Sequence, residues 1–174
     1  TLITSMFMHG GFMHLIGNML YMWIFADNIE DEIGKVKFII FYLLSGIAAA
    51  LTQVFLNTES MIPMVGASGA IGGVLGAYIV NHPRAKVLVL IPLGFFSQIV
   101  KIPAIFVLGI WFILQFVNSA FTSSAGGGVA YGAHIGGFVF GAVAILFFNR
   151  GVKRKAVRKT RRAINEKPPK NPWA

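Results

Sequence analysis

Cysteine is absent from this 174-residue chain, which excludes disulfides and thiolate metal sites and leaves the redox compartment open. Charge is scarce too: 12% of residues are Asp, Glu, Lys or Arg, about half the usual share of a soluble domain. Acidic groups are scarcest, six against fifteen Lys and Arg, for a net charge of +9. That excess does not point to nucleic acid, because ten of the fifteen cations lie from Arg150 onward, in one terminal run. The start, Thr1 to His14, lacks a basic n-region and a cleavage site, so no signal peptide is expected. It also lacks an initiator Met, and the chain therefore reads as a fragment.

What is abundant is apolar. Hydrophobic residues make up 56% of the chain and mean hydropathy is +0.72. The length allows one domain. Five stretches approach the ~20 apolar residues that a membrane helix needs: 12–26, 38–56, 64–81, 102–121 and 129–148. In hydrocarbon every backbone group must be paired within its own segment, so these read as helices. A sixth run, 87–96, is too short to span and contains Pro92; it is expected to lie at the interface. The acidic run 27–34 lacks the calcium-loop spacing and reads as a solvated turn with an internal hydrogen-bonding role.

Orientation follows from the cations. Lys35 and Lys37 lie between spans one and two, Arg84, Lys86 and Lys101 between spans three and four, and the other ten after span five. The remaining connections have none. Five spans thus put every cation on one side, the cytoplasmic one, including a polybasic tail suited to anionic lipid.

Spans one, three and five then run the same way, from outside to inside. Each carries rare polar side chains near its start: His14 and Asn18, Ser68, and His134. Each group is expected about one turn inside its helix, on the order of 5 Å, so the four converge on one layer in the outer leaflet. Glycines four apart, Gly69/Gly73, Gly72/Gly76, Gly132/Gly136 and Gly137/Gly141, let helix backbones approach closely. Spans three and five are therefore expected to pack glycine face to glycine face, bringing Ser68 to His134.

A serine hydroxyl is a poor nucleophile until a base takes its proton, and a neutral imidazole can take it. A carboxylate would complete a triad, but none is available at that depth: Asp27, Glu30, Asp31, Glu32 and Glu166 fall on the cytoplasmic side and Glu59 in an outer loop. The pattern suits a Ser–His dyad whose histidine is held by packing. An oxyanion would find donors in the backbone N–H of Ser68 and in the side chains of His14 and Asn18. Taken singly, these residues have plainer uses. A serine can bond back to its own helix, a histidine can bridge helices, and His14 and Asn18 can anchor at an interface. Their meeting in one layer favours chemistry. A zinc site from His9, His14 and His134 is the weaker alternative, lacking H-E-x-x-H or a carboxylate partner, so neither metal nor cofactor is expected. His9 and His82 read as interfacial or loop residues.

HLIGN at 14–18, GASG at 66–69 and YGAHIGGF at 131–138, in that order, resemble the rhomboid intramembrane serine proteases, and 28-NIEDEIG-34 with 82-HPRAK-86 resemble the bacterial branch. The resemblance covers the chain to about Arg150. It implies an all-α polytopic membrane bundle of about five helices over 1–150, the family's first helix being absent, and a basic cytoplasmic tail over 151–174. It implies Ser68 as nucleophile and His134 as base, with His14, Asn18 and the Ser68 and Ala67 N–H groups as the oxyanion hole. Ala133 and Gly137 would allow close helix contact, and Glu30 would brace the cytoplasmic turn. Substrates would be membrane proteins, cut within bilayer-embedded segments where the helix can unwind. Water would enter by an outward cavity bordered by His9 to Phe12 and the loop near 125–128. Many members place an aromatic four residues after the serine, against the histidine. Here that position is Gly72, which leaves His134 to Tyr131 or Phe138. The expected location is a bacterial cytoplasmic membrane with the site toward the outer face. The rivals are a pseudoprotease that binds membrane clients without cutting them, and a small transporter or channel subunit, which would string polar residues along a pore.

Overall fold

The computed structural model describes residues 1–93, 96–121 and 129–149. A 3-10 turn (Thr4–Phe7) precedes three helices, α1 (Phe12–Ile33), α2 (Lys35–Leu56) and α3 (Ser68–Asn81). A hairpin of β1 (Lys86–Leu93) and β2 (Phe96–Pro103) follows, then α4 (Ala104–Phe121) and α5 (Tyr131–Phe148). The five expected spans are thus five helices. The tail 151–174 lies outside the described residues.

The helices α2, α4 and α5 are each long and apolar enough to cross a bilayer. Their outward faces expose Ile39, Leu51, Phe106, Ile113, Val139 and Leu146, among many others. So much contiguous apolar surface is stable against lipid tails, not against water, and the protein is an integral membrane protein. The helix α3 is different. It has 14 residues, of which Gly69 to Tyr78 are all buried. It forms the centre of the bundle, packed on α1, α2, α4 and α5.

The seam between α3 and α5 is built from missing side chains. A Cβ at Gly72 would come within 3.0 Å of the His134 carbonyl oxygen, and at Gly76, Gly137 and Gly141 it would collide with the facing carbonyls of Phe138, Gly69 and Gly73. The other ladder on α5 is not part of this seam, contrary to expectation. Gly132 faces Gln53, where a Cβ would lie 2.6 Å from Oε1, and Gly136 faces Thr52, both on α2. Neighbouring helix positions point about 100° apart, so Gly136 and Gly137 serve different partners and α5 is wedged between α2 and α3. Gly69 also meets α2, at the Cβ of Ala49.

Two local expectations change, and a third gains a form. The run 27–34 is not a solvated turn: α1 continues to Ile33, because Phe25, Ala26, Ile29 and Ile33 form a buried stripe at helical spacing through the acidic residues. The reversal is compressed into Gly34, whose φ of +85° suits glycine. The brace at this end is Glu32 rather than Glu30. Its carboxylate accepts a hydrogen bond from Asn81 Nδ2 and lies 3.3 Å from His82 Nε2, while Asn149 Nδ2 donates to Asn81 Oδ1 at 3.1 Å. Lastly, residues 87–93 of the sixth run belong to one strand of an antiparallel hairpin whose register runs from Lys86↔Pro103 to Leu93↔Phe96. Its outer edges leave backbone groups unpaired, which hydrocarbon does not tolerate. The hairpin therefore stays out of the bilayer core, and an interfacial position fits it.

Candidate functional site

The chain entering α3 makes the site. Gly66 has φ +123° and its N–H donates to the Ser5 carbonyl at 2.9 Å, which pins the 3-10 turn over the segment. A Cβ at Gly66 would sit 2.6 Å from Cε1 and 2.8 Å from Nε2 of His14, and 3.7 Å from Ser68 Oγ. The absent side chain is the space shared by the imidazole and the serine. Ser68 is the first residue of α3, not one turn inside it as expected. As first residue, its N–H has no acceptor within the helix. Ala67, at the N-cap, is buried and its carbonyl is taken by the Ile71 N–H at 2.9 Å.

Depth comes instead from helix length. Fourteen residues make about 21 Å, against ~30 Å of hydrocarbon. A helix of that length, its Asn81 end tied to the ends of α1 and α5, is about 9 Å shorter than the hydrocarbon is thick.

Ser68 Oγ lies 2.8 Å from His134 Nε2. His134 is in the first turn of α5, buried, and carried by a helix start that α2 caps: Gln53 Oε1 accepts the Ala133 N–H at 3.1 Å. The ring is confined on three sides. Trp111 stacks on it at 5.8 Å and 29°, Tyr131 meets it edge-on at 6.3 Å, and Gln115 Oε1 lies 2.8 Å from Nδ1. Gln115 is itself buried and donates Nε2–H to the Trp111 carbonyl at 3.0 Å. Of the two residues expected to hold the histidine, Tyr131 does so and Phe138 does not; Phe138 stacks on Phe112 at 4.4 Å.

His14 Nδ1 accepts the Gly10 N–H at 3.4 Å, and its ring packs against His9 at 5.2 Å. With Nδ1 accepting, the proton of the neutral ring is on Nε2. Asn18 is buried and its Nδ2 has no partner. A cavity of about 430 Å³ joins His14, Asn18, Ser68 and His134, within the ~300–1,000 Å³ range of ligand pockets. The four polar residues chosen from sequence thus line one space: a hydroxyl hydrogen-bonded to a base, with donors beside it. Gly10 borders the cavity as expected, whereas Phe12 is 85% exposed and turns away. The loop near 125–128 lies outside the described residues.

Gln115 and Trp111 were not anticipated. The signal was there. Gln115 is a lone amide amid ILQF, and Trp111 precedes it by one turn on the same face. Span four runs opposite to span five, so depth had to be counted back from Phe121, which puts Gln115 about 9 Å in.

A family model described as the Rhomboid domain matches residues 1–151. Rhomboid protein 1, mitochondrial, of Saccharomyces cerevisiae is 29% identical over 172 residues, covering 94% of this chain and 46% of that protein. Presenilin-associated rhomboid-like protein A, mitochondrial, of Danio rerio is 28% identical over 160 residues, covering 88% and 39%. Inactive rhomboid protein 1 of Drosophila melanogaster is 36% identical over 78 residues, covering 45% and 5%. The chain spans less than half the length of these relatives.

Proposed function

The chain belongs to the rhomboid family, and from that premise we propose that it is an intramembrane serine endopeptidase, cutting transmembrane segments of other membrane proteins with a Ser68–His134 dyad. The observation that carries this is the 2.8 Å contact between Ser68 Oγ and His134 Nε2, inside a cavity shared with two unspent donors, His14 and Asn18.

In this reading His134 Nε2 takes the Ser68 proton as Oγ attacks the scissile carbonyl. The oxyanion is met by the Ser68 N–H at the α3 start, by His14 Nε2–H and by Asn18 Nδ2, with the Ala67 N–H adjacent. Collapse expels the amine, which receives the proton from His134, and leaves the acyl group on Ser68. Water in the cavity, deprotonated by His134, then releases the acid. The partners are membrane proteins and the bilayer itself, and no nucleic acid is needed. The cations at 35, 37, 84, 86 and 101 and the tail 151–174 support an inward orientation for that side, with the site toward the outer face. Relatives named mitochondrial do not single out a bacterial membrane, so the reading stops at an integral membrane protein with its cationic face inside. The domain reading is a membrane unit over 1–150 followed by a basic tail.

The rival is client binding without cleavage, which a relative's name, Inactive rhomboid protein 1, raises. Protein in lipid vesicles is given a reporter with one transmembrane segment, beside Ser68→Ala and His134→Ala. The expected outcome is cleavage by the parent and none above background in either variant. Cleavage that survives Ser68→Ala overturns the dyad; a parent that holds the reporter uncut supports the rival.

A further inference from the structure

A histidine can serve as the serine's base only if Nε2 is bare, and nothing in the dyad itself decides which ring nitrogen holds the proton. We propose that Gln115 decides it: a positioning residue that locks His134 in the Nδ1–H tautomer through a neutral amide, where a triad would use a carboxylate. The assignment deepens the proteolytic reading, and its kinetic arm rests on that reading.

The chain of constraint starts at a group with no choice. The Trp111 carbonyl can only accept, so the Gln115 nitrogen that lies 3.0 Å from it must be the NH₂ end. The other end of the same amide, Oε1, therefore faces His134 Nδ1 at 2.8 Å and can only accept as well. Nδ1 must then carry the proton. In the neutral ring this leaves Nε2 with a lone pair, 2.8 Å from Ser68 Oγ and ready to accept its O–H. Gln115 and His134 are both buried, so the link has little competition from water. Trp111 contributes twice, with its carbonyl fixing the amide and its ring stacking on the imidazole.

The proton balance is simple. When Ser68 attacks, its proton moves to Nε2 and the ring carries two N–H groups. The Nδ1 proton stays where it was, because an amide oxygen is too weak a base to take it. The Nε2 proton leaves again with the amine. Gln115 gains and loses nothing, and it touches neither substrate nor the reacting atoms. Its work is to hold a tautomer and to offer an amide dipole to the transient imidazolium.

The test uses the full chain in lipid vesicles, with three variants and two readouts. Gln115→Leu keeps the bulk and removes both bonds. Gln115→Glu in its protonated form can still present a carbonyl oxygen to Nδ1 while donating to Trp111. Gln115→Asn is one methylene short of the pair. In the leucine and asparagine variants kcat should fall roughly 10- to 100-fold with KM unchanged, and glutamate should restore most of it. The loss should be smaller than the ~10⁴ that a wrong tautomer costs a carboxylate-backed triad, since an amide holds the imidazolium less tightly. The second readout needs no catalysis. ¹⁵N spectra of histidine-labelled wild type and Ser68→Ala should give His134 a protonated Nδ1 and a bare Nε2. A bare Nδ1 in wild type overturns the assignment, as does an unchanged kcat in Gln115→Leu. An Nδ1–H signal in a protein that shows no Ser68-dependent cleavage supports the tautomer lock and removes only the proteolytic reading.

Discussion

Asn18 illustrates a residue whose polar group the fold itself does not use. Its Nδ2 lines the cavity beside Ser68 and has no hydrogen-bond partner among the described protein groups. Truncation should therefore spare stability while harming turnover. We expect Asn18→Ala to lower kcat/KM by about 10²–10³ with Tm unchanged or raised in detergent. His14→Ala should slow turnover comparably, through loss of the Nε2–H donor. Lost expression with unchanged specific activity would instead mark either residue as structural. Sequence reading reached Ser68, His134, His14 and Asn18 because polar side chains are rare enough in these spans to be counted. It missed Gln115 because its span runs the other way, so that its depth has to be counted back from the far end of the helix. Ser68 was placed one turn too deep in its helix, since nothing in 64-MVGAS-68 reveals that the backbone enters α3 through a φ of +123° at Gly66.

Among the elements, the paired helices α3 and α5 carry the geometry. Four glycines bring carbonyls of each helix where Cβ atoms would have to be, so their substitution is a problem of backbone displacement. Gly137→Ala should destabilise the protein by about 1–3 kcal/mol through overpacking and should separate Ser68 from His134. Gly109→Ala on α4 has nothing within 4 Å of the added carbon, and by relieving helix-interior glycine it should be neutral or stabilising by about 0.5–1 kcal/mol. Paired thermal unfolding curves and Ser68 labelling by a fluorophosphonate check both; equal effects at the two sites would defeat the seam argument. The spans were legible because hydrocarbon demands length and apolarity. The hairpin was not, because a short apolar run with β-branching, 87-VLVLIPL-93, carries no partner information, and the partner strand, 96-FSQIVKIP-103, has no clean alternation. The continuation of α1 through the acidic run was hidden by the four charges of that run, which mask the buried stripe beneath them.

The molecule as a whole is tied at two ends by different means. At the end away from Ser68, Glu32, Asn81, His82 and Asn149 link α1, α3 and α5. Glu32→Ala should leave Asn81 Nδ2 short of an acceptor, remove the carboxylate beside His82, and lower stability by about 1–3 kcal/mol, with Ser68 labelling intact well below the melting transition. Glu30→Ala should do less, and the reverse ranking would return the brace to Glu30. At the other end, Ser68 begins a helix whose Gly69 to Tyr78 are all buried, and His134 beside it is gripped from α4, whose Ile110, Ile113 and Phe116 face outward. A bilayer too thick or too thin tilts the helices it touches before it disturbs one sheltered behind them. In the proposed reading, acyl-chain length should therefore tune turnover through the imidazole's grip rather than through Ser68, and lipids of mismatched length should slow cleavage before they unfold the protein.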